Sequence, residues 1–473
     1  MNARLQVMKF GGTSVANAEC IARAARIIAQ SAREGRCVAV VSAMSGVTNR
    51  LIEAAKTAQM GDGSAAIAVM EALRSQHETA LASLVNHEDE TARVRKKLDA
   101  VLAEGLRFCE GTALLRELSP RTMDAISSLG ERLSAPLVSA AVKELGPQSE
   151  PVEATELIVT DEFHGGAEPQ MEQTRAKSHA RILPLLQRGI VPVVTGFLGA
   201  TASGELTTLG RGGSDFSATI LGAALDADEV IIWTDVDGVL TADPRLVAEA
   251  QTIPEISYRE AAELAYFGAK VLHPKTLRPV VQAGIPVWIR NSFAPEKSGT
   301  KITSQGQNIG GGVKALTAIR DVTLISVGGP GIVGLPDVVG RTFSTTAEVR
   351  ANVLLISQSS SQNDICFGVF SADARRTVDA LRKEFAQDLD HHKVEHIRVD
   401  PQIAIVAVVG QNMCGIPGIA GKTFNAIGKE GVNLIAIAQG SSETNISFVI
   451  EEQSVVPALR TLHREFGLHK SGE

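Results

Sequence analysis

The sequence predicts an α/β fold in two parts: an open, mostly parallel sheet with helices on both faces, then two copies of a small ferredoxin-like β-α-β-β-α-β module. Three observations predict it. Up to about residue 300, short Val/Ile-rich runs alternate with longer amphipathic stretches, the rhythm of strand–helix–strand units. The chain holds 43 glycines and only 4% aromatic residues, so its 44% hydrophobic content is aliphatic mass joined by tight βα turns. Finally, Ile325–Val369 aligns without gaps on Val406–Ile450, at a constant offset of 81 residues. The alignment matches Gly334 with Gly415, Pro336 with Pro417, Gly340 with Gly421, Thr342-Phe343 with Thr423-Phe424, Asn352 with Asn433 and Ser360-Ser361 with Ser441-Ser442. The unit is longer than most solenoid repeats, so it reads as one small domain present twice.

Taken in order, Leu5–Met8 reads as a short strand, Ala16–Arg33 as an amphipathic helix, and Cys37–Val41 as a strand ending at Ser42. Residues 50–145 read as mainly helical, with His87–Lys97 a solvated helix face. Ile190–Val194 and Glu229–Trp233 have the continuous apolar character of strands buried on both faces. Between them, Phe197–Thr208 reads as a hairpin turning near Ser203-Gly204. Ser257 and Glu260 form a capping box that opens a helix, and Ile285–Ile289 is a last strand. Asn291–Thr303, with Pro295 and Gly299, reads as the exit from this first domain. In the second repeat, strands at Ile403–Val409, Val432–Ala438 and Thr444–Ile450 surround a helix over Ile416–Glu430 and a polar turn at Gln439–Glu443. Pro457–Phe466 closes the module as a helix. The expected boundaries are a first domain over 1–300, a linker over 301–321, and modules over 322–398 and 399–473.

Composition excludes several classes. A net charge of −7 argues against a nucleic-acid or anionic-membrane partner. Five scattered cysteines without a C-x-x-C pair argue against a disulfide framework or a zinc site, and fit a reducing compartment. Neither a signal peptide nor an apolar run of membrane-spanning length is visible, so the expected location is the cytoplasm.

Five stretches carry candidate chemistry. Lys9-Phe10-Gly11-Gly12-Thr13-Ser14 sits between a strand and a helix, where glycines bring backbone amides close to an anion and a lysine can neutralise phosphoryl oxygens. An ordinary βα turn with an edge lysine reads the same way. Gly210-Arg211-Gly212-Gly213-Ser214-Asp215 also leads into a helix. N-capping explains its Ser and Asp but not its Gly-Arg-Gly-Gly, whose arginine fork suits a carboxylate. Trp233-Thr234-Asp235-Val236-Asp237-Gly238, with Asp243-Pro244-Arg245 behind it, follows a strand and so lies where open α/β sheets bind ligands. A polar turn is the alternative. Phe267-Gly268-Ala269-Lys270 supplies a second lysine, which at a helix end can also simply complement the dipole. Gly130-Glu131-Arg132 places a glycine in an apolar helical stretch, at a cost of about 1 kcal/mol against alanine, so something approaches closely there. Two further matches fail. Gly329–Gly334 fits G-x-G-x-x-G, but the strand Asn352–Ile356 ends in Ser357-Gln358 rather than the acidic residue a dinucleotide site needs. Gly421-Lys422-Thr423 lacks the upstream glycine of a P-loop, holding Ile416 instead.

Together these stretches resemble the aspartate kinases over nearly the whole chain. Lys-Phe-Gly-Gly-Thr-Ser, Gly-Arg-Gly-Gly-Ser-Asp, Trp-Thr-Asp-Val-Asp-Gly and Phe-Gly-Ala-Lys-Val-Leu-His-Pro occur in the family's order and spacing, before a repeat resembling tandem ACT modules. The resemblance implies an amino-acid-kinase fold over residues 1–300. It implies ATP-dependent phosphorylation of the side-chain carboxylate of L-aspartate to 4-phospho-L-aspartate, the first step towards lysine, threonine, methionine and isoleucine. Lys9, Lys270 and Asp215 would be catalytic. Ser42, Thr48, Glu131, Arg211 and Asp215 would hold aspartate, Arg211 meeting a carboxylate and Glu131 the ammonium. Lys9, Gly11, Gly12, Ser14, Thr234, Asp235, Leu240, Asp243, Arg245 and Lys270 would bind the nucleotide. Leu240 stands where many relatives carry a tyrosine near the adenine, which places the adenine contacts in question. Mg²⁺ would arrive with ATP, with no all-protein metal cage.

The tail implies feedback control by an end-product amino acid, with Gln358, Ser360, Gln439, Ser441 and Asn445 as effector contacts and a homodimer or homotetramer joined through the ACT modules. In the family, the segment around Val313–Ile319 lends a strand to the second module. The second copy keeps the family signature Gln439–Asn445, whereas Gln362 and Asp364 depart from it in the first. Gln358-Ser359-Ser360-Ser361 resembles the threonine-sensitive branch more than the lysine-sensitive one. The competing readings are another carboxylate-directed amino-acid kinase, such as an acetylglutamate kinase, which generally lacks tandem ACT modules, and a catalytically silent amino-acid sensor, which would have lost Lys9 and Lys270. With the sequence ending at residue 473, the homoserine dehydrogenase domain fused to some relatives is not expected.

Overall fold

The computed structural model describes residues 4–268, 272–307, 312–329, 335–358, 364–411, 413, 416–439 and 444–469. They fall into two compact units. The first comprises the described parts of 1–239, 254–261 and 271–307, and the second those of 240–253, 262–270 and 308–473.

The first unit opens with β1 (Leu5–Phe10), α1 (Ala18–Glu34) and β2 (Arg36–Val41). A helical stretch follows: α2 (Val47–Gln59), α3 (Gly63–Leu84), α4 (Glu88–Leu115), α5 (Pro120–Ser127) and α6 (Leu129–Glu144). Then come β3 (Ser149–Val152), β4 (Val159–Thr160), α7 (Met171–Gln187), β5 (Val191–Thr195), β6 (Leu198–Thr201), β7 (Leu206–Thr208), α8 (Gly213–Ala224) and β8 (Glu229–Thr234). β9 (Glu255–Ser257), α9 (Tyr258–Tyr266), α10 (Pro274–Ala283), β10 (Val287–Asn291) and β11 (Thr300–Thr303) complete it, although α9 runs on into the second unit.

The main sheet has the order β3-β5-β2-β1-β8-β10-β11-β9. From β3 to β10 every pairing is parallel, and β11 runs antiparallel to β10. Residues alternate between its faces. Met8, Phe10, Ala39, Val41 and Trp233 join the core with α1 and α6, while α8 covers the other face so closely that a Cβ on Gly222 would lie 2.4 Å from Val230 Cγ2. From β1 the chain winds outward one way through β2 and β5, and from β8 the other way to β10. The switch point between β1 and β8 is where such a sheet opens a crevice at its carboxyl edge. The capping box is present: Ser257 N donates to Glu260 Oε2 at 2.7 Å and Glu260 N to Ser257 Oγ at 3.2 Å. The stretch expected to leave the domain instead adds a strand to it, because Thr300–Thr303 alternates buried and half-buried residues and pairs with both β10 and β9.

The second unit contains β12 (Ala315–Gly328), α11 (Leu335–Glu348), β13 (Val353–Gln358), β14 (Asp364–Phe370), α12 (Ser371–Glu384), α13 (Ala386–Asp390), β15 (His396–Val409), α14 (Ile419–Lys429), β16 (Ala436–Ala438), β17 (Asn445–Glu451) and α15 (Val455–Glu465). They form a six-stranded sheet, β13-β14-β12-β15-β17-β16. Two long strands serve both repeats: Ala315–Ile319 pairs with Ile405–Val409, while Val322–Gly328 pairs with β14. Asp321 and Gln402, 81 residues apart, both take positive φ (57° and 58°) where these strands pass from one module to the other. Only Ala436–Ala438 of the expected Val432–Ala438 strand pairs in the sheet. Gly421-Lys422-Thr423 lies inside α14, with Thr423 Oγ1 on Ile419 O, so it has no loop to offer a phosphate. No helix among the described residues is long and apolar enough to cross a membrane.

The 240–253 segment leaves the first unit and is built into the core of the second. Ala242 and Val247 are buried with Leu316, Leu459 and Leu462. Thr241 Oγ1 lies 2.9 Å from His463 Nε2 of α15, and Arg460 Nε donates to Leu246 O at 2.9 Å. The end of α9 is held likewise, with Thr317 Oγ1 on Phe267 O at 2.9 Å and Asn445 Nδ2 on the Glu263 carboxylate.

Candidate active site

Five strand ends of the first unit, those of β1, β2, β5, β7 and β8, feed loops into one cavity of about 560 Å³. Lys9, the penultimate residue of β1, is 8% exposed, and its Nζ lies 2.6 Å from Asp215 Oδ1 in the first turn of α8. Because side chains alternate along a strand, Phe10 points the other way and stacks on Trp233. The turn after β1 is pinned by Gly11 N on Trp233 O (3.2 Å) and Ser14 N on Gly11 O (2.9 Å). The N–H groups of Gly12 and Thr13, both lining the cavity, make no hydrogen bond among the described residues. Ser14 is buried behind this turn, its hydroxyl 2.8 Å from Ser292 Oγ, and does not line the cavity.

Ser42, Thr48 and Glu131 line the same cavity. Gly130 and Glu131 occupy the first turn of α6 rather than a helix interior, and the close approach expected there is made by the loop after β2. A Cβ on Gly130 would lie 2.6 Å from Ala43 Cβ and 3.3 Å from Val47 Cγ1. Glu131 is 4% exposed, and its Oε2 has no partner among the described residues. Burial pushes its carboxyl up to about 8, against the pull of the Ala43 amide and the charge of Lys9. A buried acid with an idle oxygen favours the protonated form until a cation arrives.

Ser214 and Asp215 are not N-caps. Gly212, with φ 70°, is the cap of α8, and both side chains lie within its first turn. Arg211, between Gly210 and Gly212 in the left-handed region, is exposed, makes no ion pair among the described residues, and does not line the cavity. Thr234 and Asp235, at the end of β8, do line it. Beside them Asp237 accepts from Lys297 Nζ and Asn291 Nδ2, each at 2.6 Å, which lowers its carboxyl below the usual range.

Leu240, Asp243 and Arg245 belong to the second unit, where Arg245 grips Asp243 with Nε and Nη2 at 2.6–3.1 Å and Leu240 bridges to Thr252. Gln358 ends β13, Gln439 follows β16, and both are exposed, while Ser357 Oγ donates to Ile437 O at 3.1 Å. Lys270, Ser360 and Ser441 lie outside the described residues.

Sequence reasoning passed over two parts of the cavity wall. Ser45-Gly46 opens α2, Gly46 serving as its N-cap at φ 79° without a side-chain cap, so a third helix N-terminus, besides those of α6 and α8, borders the cavity. Phe197 takes φ 72°, rare for an aromatic residue, held by Ser217 Oγ on its N–H and by Leu209 N on its carbonyl, both at 2.9 Å. The available signal was position: each directly follows a buried strand. Among the described residues no group of three His, Cys, Asp or Glu side chains could hold a metal ion by itself. Asp235 supplies one hard oxygen donor on the cavity wall, which suits a divalent cation carried mainly by phosphate and water.

The model of the amino acid kinase family matches residues 4–291, and the ACT domain model matches 325–385 and 406–466. A chloroplastic bifunctional aspartokinase/homoserine dehydrogenase of Daucus carota is 35% identical over 99% of this chain, which spans 51% of that relative. The chain spans about half the length of the bifunctional relatives it matches. Chloroplastic aspartokinase 2 of Arabidopsis thaliana is 33% identical over 97% of this chain and 84% of its own length. Among solved structures, E. coli aspartokinase III is 30% identical, covering 98% of this chain and 99% of its own, with TM-scores of 0.79 in complex with aspartate and ADP and 0.80 in complex with lysine and aspartate.

Proposed function

This chain belongs to the aspartokinase family, and from that premise we propose that it transfers the γ-phosphoryl group of ATP to the side-chain carboxylate of L-aspartate, giving 4-phospho-L-aspartate and ADP. The observation that carries the reading is the pairing of opposite recognition elements in one cavity. Lys9, the idle amides of Gly12 and Thr13 and the start of α2 favour phosphate, while Glu131 offers a buried carboxylate suited to an ammonium.

A side-chain carboxylate oxygen of aspartate forms the new bond to γ-phosphorus as the bond to the β–γ bridging oxygen breaks, and ADP leaves with that electron pair. The acceptor is already ionised at neutral pH, so no base is needed, and the barrier is repulsion between anions. Lys9, aligned by Asp215, neutralises charge on the transferring group, and Lys270 is assigned the opposite side. Mg²⁺ bound to ATP, with Asp235 beside it, would lower the same repulsion. Ser42 and Thr48 offer hydroxyls to aspartate, Arg211 a guanidinium to its carboxylate, and Thr234, Leu240, Asp243 and Arg245 contact the nucleotide.

The ACT modules would bind an end-product amino acid through Gln358, Ser360, Gln439, Ser441 and Asn445, with threonine favoured over lysine by the Gln-Ser-Ser-Ser of the first copy. They would also join subunits into a dimer or tetramer, a role supported by Ile356 and Ile437, which remain 50% and 43% exposed on β13 and β16. The scattered cysteines support a cytoplasmic setting.

The test is to trap the product. With Mg-ATP, aspartate and hydroxylamine, an acyl phosphate becomes a hydroxamate at the side-chain carboxyl. ATP turnover that yields no aspartyl hydroxamate contradicts the reading.

A further inference from the structure

We propose that Asp124, which lies outside the cavity, is the positioning residue that holds the ammonium-binding and carboxylate-binding sides of the aspartate site in register. The inference rests on the reading of aspartate as acceptor.

Asp124 is in α5 and 2% exposed. Its carboxylate accepts from four donors: His164 Nδ1 at 2.8 Å, Gly165 N at 3.1 Å, Thr208 Oγ1 at 2.6 Å and Thr208 N at 3.2 Å. These donors come from two segments remote from α5 in sequence. On its own side, α5 passes through the single residue Ser128 into α6, whose first turn carries Glu131. On the other side, Thr208 ends β7 two residues before Gly210, so Asp124 grips the strand that delivers the Gly-Arg-Gly-Gly turn and, beyond it, Asp215.

The grip extends to the turn itself. A Cβ on Gly210 would lie 3.0 Å from Gly165 O and 3.2 Å from Gly166 Cα, so the turn is seated on the segment whose Gly165 amide Asp124 holds. Ala167 N donates to Thr208 O at 2.9 Å, tying that segment to β7 as well. From α10, Lys275 holds it with Nζ 3.0 Å from Glu168 and 3.3 Å from Gly166 O.

A carboxylate suits this place because it accepts several hydrogen bonds and donates none. The arrangement also answers what the site residues leave open. Glu131 has an idle oxygen and Arg211 is exposed, so neither fixes its distance from the other. The spacing between them is set instead by the buried junction of α5, β7 and residues 161–168. A small error there would be felt as weaker, misaligned binding of a short substrate that must bridge both groups.

The experiment compares Asp124→Asn, Thr208→Val and Thr208→Ser with the unmodified protein. It measures kcat, KM for aspartate and for ATP, the Kd for aspartate by calorimetry, and the thermal midpoint. Thr208→Val removes the shortest of the four bonds without changing side-chain volume, and Thr208→Ser keeps that donor. The expected result is a rise of about tenfold or more in both KM and Kd for aspartate in Asp124→Asn and Thr208→Val, with KM for ATP within about twofold and Thr208→Ser close to the unmodified protein. Should Asp124→Asn fail to fold, Thr208→Val carries the test, since it keeps the carboxylate and its other donors. A lowered midpoint with unchanged aspartate constants, or an equal rise in both KM values, overturns the positioning role. Failure of the acceptor reading shows up separately, as absence of aspartate turnover in the unmodified protein.

Discussion

Lys9 and Glu131 carry opposite demands within one cavity. Lys9→Met should lower kcat by about 10²–10³-fold or more, the cost of removing a group aimed at developing charge. It also leaves Asp215 without its 2.6 Å partner, so about 1–3 kcal/mol of stability should go with it. Circular dichroism should still report a folded chain, and normal turnover would remove Lys9 from the phosphate site. For Glu131, burial lifts the carboxyl from its ordinary 4.5 to about 8. The folded chain therefore keeps a proton that the unfolded chain releases, and this group's effect on stability becomes progressively less favourable as pH rises from about 4.5 to about 8. Binding an ammonium reverses the preference. At pH 7 aspartate should drive close to one proton off Glu131, so the calorimetric enthalpy of binding should vary with the ionisation enthalpy of the buffer. KM for aspartate should rise as pH falls below about 8, by at most about tenfold per unit. A buffer-independent enthalpy and a flat KM would separate Glu131 from the ammonium.

At the scale of elements, the site depends on close approaches that only glycine permits. Gly130→Ala gains up to about 1 kcal/mol of helix propensity, but its Cβ would press on Ala43 Cβ at 2.6 Å. Overpacking of that kind costs about 1–3 kcal/mol, so the clash should win. The variant should melt earlier and bind aspartate more weakly, because the displaced segment carries Ser42 and Thr48. Unchanged melting and binding would show that the loop yields freely. The same position shows what the sequence made legible. A glycine in an apolar helical stretch announced a close neighbour, and Lys9, Glu131, Asp215, Thr234 and Asp235 could be found because strand ends, glycine turns and ionisable residues coincide locally. The Ser257–Glu260 box was equally local. What stayed hidden depended on distant partners. β11 looked like an exit because its pairing with β10 and β9 cannot be read from four residues, Ser14 turned inward because Ser292 is there to receive it, and Asp124 looked like any polar helical residue until β7 and residues 161–168 closed over it.

At the scale of the whole molecule, the residues proposed for the nucleotide belong to two different compact units of the chain. Thr234 and Asp235 line the cavity of the first, whereas Asp243 and Arg245 ride on a segment whose Ala242 and Val247 are buried against α15 in the second. Leu459→Ala, at a position 1% exposed, should destabilise the second unit by about 2–5 kcal/mol. Calorimetry should register that loss, and an unchanged melting profile would contradict the packing of Leu459 in that core. The central claim, that aspartate accepts the phosphoryl group, is tested most directly by measuring ADP release from purified protein with Mg-ATP, with and without aspartate. The account predicts release that depends on aspartate, saturates with it, and is suppressed by threonine or lysine. Release supported by a different acid, or no release with any acid, would contradict it.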